Sequence, residues 1–457
     1  MGSRYRCLVL FAVACKSTTV GDPATADADA PGSPSSPATV ASAAVADAAA
    51  PPDAATEPKG VEIVLAFAGD VLPHGHVLEA PVAPLFAALP SFWAAADARV
   101  FNLEAPIGDR AGLEGLALAA PPEWLGAITT ALRPTAFVAA NNHGCDRGPE
   151  GVAATVAHAG TLQVPLVGVI GAPDAGASDA FAAVHVVKKS GRSVCMVAWT
   201  AFLNDAGENL SNPKVRGCVK GDAGARIAYL PLGEYGTKAV DRILGAPDRF
   251  AGCDARIAYV HAGNEYRAQL ELSMDQARAA ARYVDAVVLT HPHVPDGTTV
   301  LEVPAGYGTG RAAGPPRRVP VFRSLGNFVS NQGAEWTPEE TGGISFVKGQ
   351  PDQAKTAWTR VAMLAKVGLT WPEGHDAVEV RYGVQLLFTE RSGAELALRP
   401  LPSGPSDPVA ERLRRGAQPF AGLLDDPCTL PAEPTAALPC PSQLPASQTT
   451  QGTTTRP

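Results

Sequence analysis

An apolar run at 61–68, Val-Glu-Ile-Val-Leu-Ala-Phe-Ala, ends in Gly69-Asp70 and predicts a buried strand. Further short apolar runs lie at 99–103, 135–140, 164–170, 182–187, 193–199, 255–261, 285–290 and 319–325. Between several of them, apolar positions recur at helical spacing, most clearly over 82–96, 122–132, 150–160 and 273–283. Strand and helix in alternation predict an α/β sheet with helical layers. Past Trp358 the runs 361–369 and 377–389 have no helix between them and predict a β-hairpin appended to the sheet. No internal repeat is present.

The pattern breaks at both ends, which sets the domain plan. Residues 16–60 contain no Phe, Trp or Tyr and are mostly Ala, Pro, Ser, Thr and Asp. Such a segment cannot bury enough apolar surface to offset chain entropy, and it reads as a disordered tether. Residues 402–457 form a Pro-rich tail with Phe420 as its only aromatic and a short helix expected over 408–415. Arg4 and Arg6 precede a short apolar run at 7–14 that closes on Ala12-Val13-Ala14-Cys15. That order reads as an export signal and resembles a bacterial lipoprotein cleavage site, with Cys15 lipidated, although Ala12 stands where Leu is preferred. The plan is thus 1–15 signal, 16–60 tether, 61–401 folded domain and 402–457 tail. The expected location is the cell envelope, with membrane contact through the lipid anchor.

Hydrophobic residues make up 46% of the chain, enough for a large core, and the net charge is −8. That sign argues against broad nucleic-acid binding, which goes with a basic excess. No uninterrupted apolar run reaches the roughly 20 residues of a membrane-spanning helix. Gly306 to Gly310 superficially has the look of a dinucleotide loop, but Arg-Ala-Ala-Gly-Pro-Pro follows it in place of a helix. Cys145, Cys195, Cys218 and Cys253 fit no zinc spacing. Cys195 reads as a buried strand residue, and Cys218 and Cys253 are one candidate pair, although spacing does not establish connectivity. Cys428 and Cys440 are placed to close a small loop in an oxidising compartment.

The chemistry gathers at strand ends. Six of the nine histidines lie close to the C-terminal end of an expected strand. Strand one ends in Asp70 and leads to His74; the next ends in Asn102-Leu103-Glu104, and the third in Asn141-Asn142-His143. Later strands end in His261, with Glu265 and Tyr266 just beyond, and in His291-Pro292-His293. In an open α/β sheet, ligands bind beyond the carboxyl ends of the strands. Carboxylates, an amide oxygen and imidazoles there suit Mn, Fe, Zn or Mg. The two histidines of His291-Pro292-His293, as alternate residues of an extended segment, would face one side. Each residue alone has an ordinary explanation, such as Asp70 as a turn residue or Asp146 as the N-cap of the following helix. The set together predicts a metal or catalytic site.

Six ordered motifs carry a family resemblance: Gly69-Asp70, Asn102-Leu103-Glu104 with Pro106, Asn141 to Gly151, His261 to Tyr266, His291-Pro292-His293-Val294 and Ser324-Leu325-Gly326-Asn327-Phe328. Over about 63–333 the chain resembles the CapA capsule-synthesis (poly-γ-glutamate biosynthesis) family, a branch of the calcineurin-like metallophosphoesterase superfamily. The resemblance implies a four-layer α/β/β/α sandwich with two divalent metal ions at the sheet edge. It implies Asp70 and His74 on the first metal, Glu104 as the bridge, and Asn142, His261 and His291 on the second, with His293 returning to the first. It gives His143 the role of protonating a leaving oxygen, oriented by Asp146. Asn102, Asn141, Glu265, Tyr266 and Asn327 would line the substrate site. The chain departs from the family pattern at Ala262, where Trp is usual, at Thr290, where many members have His, and at Ser330-Asn331, where Phe-Asp is common.

Two functions follow. One is an extracytoplasmic metallohydrolase acting on a phosphoester, or on an amide of a glutamyl polymer, in capsule synthesis or export alongside membrane-bound partners. The other is an accessory protein that holds an anionic polymer without turnover. No Gly-x-x-x-x-Gly-Lys-Ser/Thr phosphate loop is present, which sets the chain apart from an ATP-dependent polymer ligase.

Overall fold

The computed structural model describes residues 60–108, 117–171, 179–207, 210–220, 225–266, 269–304, 316–330, 332, 346–347, 350–351, 357–392 and 395–400. The chain divides into two units, Met1–Glu57 and Pro58–Pro457, and all of these residues fall in the second. Cys15, residues 16–59 of the tether, the tail with its helix, Cys428, Cys440, Asn331 and the 306–310 loop lie outside the described residues.

Strand β1 (Gly60–Val71) leads through α1 (His76–Glu79), α2 (Val82–Leu85) and α3 (Ser91–Ala95) to β2 (Ala98–Leu103). Next come α4 (Pro122–Leu132), β3 (Ala136–Val138), α5 (Gly148–Thr161), β4 (Leu166–Val167) and β5 (Val169–Ile170). The hairpin of β6 (Val184–Lys189) and β7 (Arg192–Thr200) precedes α6 (Pro213–Lys220), β8 (Arg226–Ile227) and α7 (Glu234–Leu244). Then follow β9 (Ala255–His261), α8 (Glu271–Ala281), β10 (Ala286–Thr290), β11 (Thr298–Val303), β12 (Arg317–Phe322) and β13 (Asn327–Val329). The ribbon of β14 (Phe346–Val347) and β15 (Gln350–Pro351) is followed by β16 (Val361–Pro372), β17 (Glu379–Ser392) and β18 (Glu395–Pro400).

Two large sheets result. The first runs β18-β17-β16-β1-β2-β3-β4, with β13 beside the end of β1; the second runs β11-β12-β10-β9-β7-β6. Neighbours among β1 to β4 are parallel, as are β7, β9, β10 and β12, whereas β16, β17 and β18 add antiparallel strands beside β1.

Side-chain alternation stacks the layers. Ile63, Leu65 and Phe67 of β1 share one buried cluster with Val194 and Met196 of β7, Ile257 and Tyr259 of β9, and Met363 and Val367 of β16. This cluster lies between the sheets. The intervening positions face outward: Ala66 and Leu364 meet Trp93, Trp124 and Ile128 of the first helical layer, and Val197, Trp199 and Val260 meet Val240 of α7 and Ala277 and Ala280 of α8. The architecture is therefore the expected α/β/β/α sandwich. Its central strands, buried on both faces over most of their length, read as largely apolar runs.

Several local expectations are corrected. The helix expected over 82–96 is two short helices, because Pro90 disfavours helical geometry at the residue before it. The run 164–170 splits at Gly168, whose φ is +83°; β4 stays in the first sheet and β5 pairs with β8 instead. The run 319–325 ends as a strand at Phe322, and β13 begins only after Gly326. Helices α6 and α7 and strands β11 and β18 were not expected. The disulfides are Cys145–Cys218 and Cys195–Cys253; Cys218 and Cys253 are not partners, because α6 carries Cys218 to the turn before α5.

Candidate metal centre

The carboxyl ends of parallel strands from both sheets meet at one edge. Asp70 closes β1 in register with Asn102 of β2 and Asn327 of β13. Across the second sheet, His261 of β9 is in register with Thr200 of β7 and Thr290 of β10. Gly69 explains how β1 reaches this edge. Its first part pairs with β16 and its last residues with β13. At the crossover a Cβ on residue 69 would lie 1.9 Å from the Gly326 carbonyl oxygen. The Asp70 amide donates to that same oxygen at 3.0 Å. Two of the sequence motifs are thus a single interlocked feature.

His291 and His293 converge differently from the extended alternation expected. Both have left-handed backbones, with φ of +98° and +59°. Left-handed non-glycine residues are costly and gather at functional sites. The His291 amide donates to Asp70 Oδ2 at 3.2 Å, and Phe202 stacks on the His291 ring with centroids 5.0 Å apart.

At this edge three groups of side chains bring their ligand atoms within 4.8 Å of one another: Glu104, His261 and His291; Asp70, Glu104 and His293; Glu265, His291 and His293. Glu104 belongs to the first two. It is fully buried, and its Oε1 has no hydrogen-bond partner. That oxygen lies 3.6 Å from His261 Nε2 and 3.8 Å from His293 Nε2. His291 Nδ1 is likewise buried without a partner. Orphaned buried polar atoms are costly. A cation between an oxygen and neutral imidazoles removes that cost, so the donor set fits a metal.

An amide network fixes the His293 tautomer. Asn327 Nδ2 donates to the Thr359 carbonyl at 3.0 Å and to Gln332 Oε1 at 2.8 Å. Its Oδ1 therefore faces His293 Nδ1, 3.0 Å away, and accepts the proton held there. His293 Nε2 is left with its lone pair toward Glu104. Asn141 Nδ2 donates to the Leu103 carbonyl at 2.8 Å and to Asn102 Oδ1 at 3.0 Å. This turns Asn102 Nδ2 toward Asp70 Oδ1 at 2.8 Å and Glu104 Oε2 at 3.2 Å. Asn102, Asn141 and Asn327 are almost wholly buried and brace the ligands, in contrast to the open lining role expected of them. Thr290 Oγ1 lies 3.0 Å from His261 Nδ1, so this departure from the family pattern contributes a contact of its own.

Protonation follows burial. Burial pushes Glu104 well above the usual carboxylate range, and the neighbouring Asp70 pushes it further. For Asp70, burial acts upward but is outweighed by hydrogen bonding to His293 and Asn102 and by the adjacent imidazoles, which hold its carboxyl below the ordinary value. Burial pushes His261 down to about 3, opposed by Asp70 and reinforced by His293 and His143. His291 is driven well below the ordinary imidazole value, chiefly by burial. Neutral imidazoles of this kind are ready ligands.

The remaining expected residues are placed as follows. Asn142 Oδ1 is 2.7 Å from His261 Nε2, at the second ligand group. His74 falls in none of the three groups among the described residues; its Nε2 contacts Ser330 Oγ at 3.1 Å, and burial with nearby His143 and His293 pushes it down to about 4. His143 Nδ1 meets Asp146 Oδ2 at 2.6 Å. Asp146 is not the N-cap of α5, a position Arg147 holds. Its carboxylate instead takes His143 and the Leu118 amide, the latter at 2.6 Å. Tyr266 sits with its ring centroid 5.8 Å from that of His293, and its hydroxyl accepts from Gln332 Nε2 at 3.0 Å.

Gln332 and Asn204 were not foreseen. Asn204 follows the end of β7 and reaches both Asn142 and His143. The strand-end rule that found the others points to this loop, but the apolar Ala201-Phe202-Leu203 separates Asn204 from Thr200.

Residues 64–332, more than half of the chain, match the family described as bacterial capsule synthesis protein PGA_cap. No curated protein matches the chain. Among solved structures, a novel phosphatase from Mycoplasma pneumoniae is 14% identical, with 73% of this chain and 96% of that chain covered and a TM-score of 0.35.

Proposed function

The chain belongs to the family of bacterial capsule synthesis proteins, and from that premise we propose that it is a metal-dependent hydrolase of the cell envelope. Its substrate would be a phosphoester, or an amide of an anionic glutamyl polymer, handled in capsule or poly-γ-glutamate synthesis or export. One observation carries this reading: the buried, unpartnered Oε1 of Glu104, shared by two groups of ligands. Asp70 and His293 would hold one cation, His261, His291 and Asn142 a second, and Glu104 both. Two divalent cations, of Mn, Fe, Zn or Mg, supply Lewis acidity and activate water at neutral pH.

The chain's own groups do the rest. Asp146 holds the His143 ring by Nδ1, which leaves Nε2 to hand a proton to the leaving oxygen. Tyr266 and Glu265, beside His293 and His291, border the space a substrate would enter. The Asn102 and Asn141 amides keep the carboxylates fixed while charge moves in front of them.

A location outside the cytoplasm is part of the proposal. Disulfides such as Cys145–Cys218 and Cys195–Cys253 persist in oxidising compartments. Among the described residues no helix is long and apolar enough to cross a membrane. Anchoring is assigned to Cys15 on the order of Arg4, Arg6, the short apolar run and Cys15.

Metal analysis of the purified full-length protein, with turnover assays on an aryl phosphodiester and on poly-γ-glutamate, tests this reading. Metal-dependent turnover of either substrate is expected. Stoichiometric metal with polymer binding but no turnover would favour the non-catalytic accessory. Purification and reconstitution without any bound metal would refute the hydrolase.

A further inference from the structure

The loop after β7 is pinned at each residue. The Ala201 amide donates to the His261 carbonyl at 2.9 Å, Phe202 stacks on His291, and Leu203 enters the core between the sheets. Asn204 then meets both halves of the site. Its backbone amide donates to the Asn142 carbonyl at 3.0 Å. Its Oδ1 accepts from Asn142 Nδ2 at 3.2 Å. Its Nδ2 lies 3.1 Å from His143 Nδ1 and 3.5 Å from Asp146 Oδ1.

The Asp146 carboxylate decides which way this amide points. An amide oxygen turned toward it would sit against another acceptor, so Nδ2 faces Asp146 Oδ1; His143 Nδ1 gives its proton to Asp146 Oδ2 and is no acceptor here. Asn204 Oδ1 must then face Asn142, and only the Asn142 Nδ2 donates to it. Asn142 Oδ1 is left toward His261 Nε2 and the ligand set. Without Asn204, Asn142 is free to turn its amide and present a donor where a cation needs an oxygen.

We propose that Asn204 is a positioning residue: it holds Asn142 with its oxygen toward the metal site and braces the His143–Asp146 pair through the same amide. The proposal rests on the metal reading above. Supporting partners of this kind, removed, typically lower metal affinity about 10-fold to 100-fold.

The test is calorimetric titration of chelator-stripped full-length protein with Mn²⁺, alongside melting curves of the metal-free proteins. Asn204→Ala should weaken Mn²⁺ binding about 10-fold, as should Asn142→Ala, and the double variant should be no weaker than either single one. Asn204→Asp keeps size and an acceptor for Asn142, so it should bind Mn²⁺ at least as well as the wild type. Its added charge beside Asp146 should still lower kcat with KM little changed. Asn204→Ala binding like the wild type, additive losses in the double variant, or Asn204→Asp binding as weakly as Asn204→Ala would each overturn the positioning role alone. If Asn204→Ala does not fold, Asn204→Asp still decides. A wild type that binds no Mn²⁺ would overturn the metal reading and this role with it.

Discussion

A carboxylate shared by two ligand groups has more depending on it than one that serves a single group. Glu104→Gln keeps the size and one acceptor oxygen but removes the charge that would hold two cations together. Bound metal should fall at least about 10-fold, with the melting temperature of the metal-free protein little changed, since Glu104 is protonated there and the amide replaces a neutral group of the same size. His143→Ala should keep its metal and lose turnover, because its ring is tied to Asp146 and stands outside the three ligand groups. Equal metal loss in the two variants, measured by elemental analysis, would contradict these roles. The protonation pattern leads to a second outcome. Glu104 has its pKa raised, so in the metal-free protein it keeps its proton well above the ordinary carboxylate range. His261 and His291 have theirs lowered and have none to give up at neutral pH. Metal binding at a pH above the ordinary carboxylate range but below the raised Glu104 value should therefore release a proton, and affinity should rise with pH. Calorimetry in buffers of different ionisation enthalpy measures this; zero release would mean Glu104 is already ionised. Asp70, Glu104, His261, His291 and His293 were legible because strand ends are legible. The residues that orient them, Thr359 through its carbonyl, Gln332 and Asn204, were not. Their roles depend on contacts between distant parts of the chain that no local pattern encodes.

Among the elements, parallel strands buried on both faces were easy to read, since the polar residues of β7, β9 and β10 stand only near their ends. Helix α6, eight residues with a glycine and three cations, offers too few apolar positions to register as periodic. The break at Gly168 is set by tertiary packing, since a Cβ there would lie 2.5 Å from that of Ala140. The junction of β1 with β13 is where element and site depend on each other most. Gly69 is required by the Gly326 carbonyl crossing beside it, and the next residue is Asp70. Gly69→Ala should force the two strands apart and cost on the order of 2–3 kcal/mol, read as a lower urea midpoint. Because the shift moves Asp70 directly, Mn²⁺ affinity should fall as well. A substitution at Gly126, in α4 with nothing within 4 Å of an added Cβ, is the matched control and should do neither. Gly69→Ala with wild-type stability would show that the crossover has slack.

For the whole molecule, the question is how a domain with a buried, metal-suited edge would be held where an envelope polymer is made. The family match covers residues 64–332 and leaves the 1–15 segment and the tether before it. The tether, without an aromatic residue from 16 to 60, has the composition of a spacer. The order of Arg4, Arg6, a short apolar run and Cys15 has that of a lipoprotein signal. These readings make one prediction about location. A single acyl chain binds a membrane only marginally, so stable attachment needs the several chains of a mature lipoprotein on Cys15. Cys15→Ala, expressed in the native host, should move the protein out of the washed membrane fraction. The fold and metal content of the domain should not change, because Cys15 is remote in sequence from every residue of the site. Retention of the variant on membranes after a high-salt wash would exclude lipidation at Cys15 as the anchor. Retention lost on that wash would instead indicate an electrostatic contact, which a chain of net charge −8 is poorly suited to make with an anionic surface. If the protein is membrane-attached, a lipid on Cys15 is the proposed anchor, ahead of a charge contact.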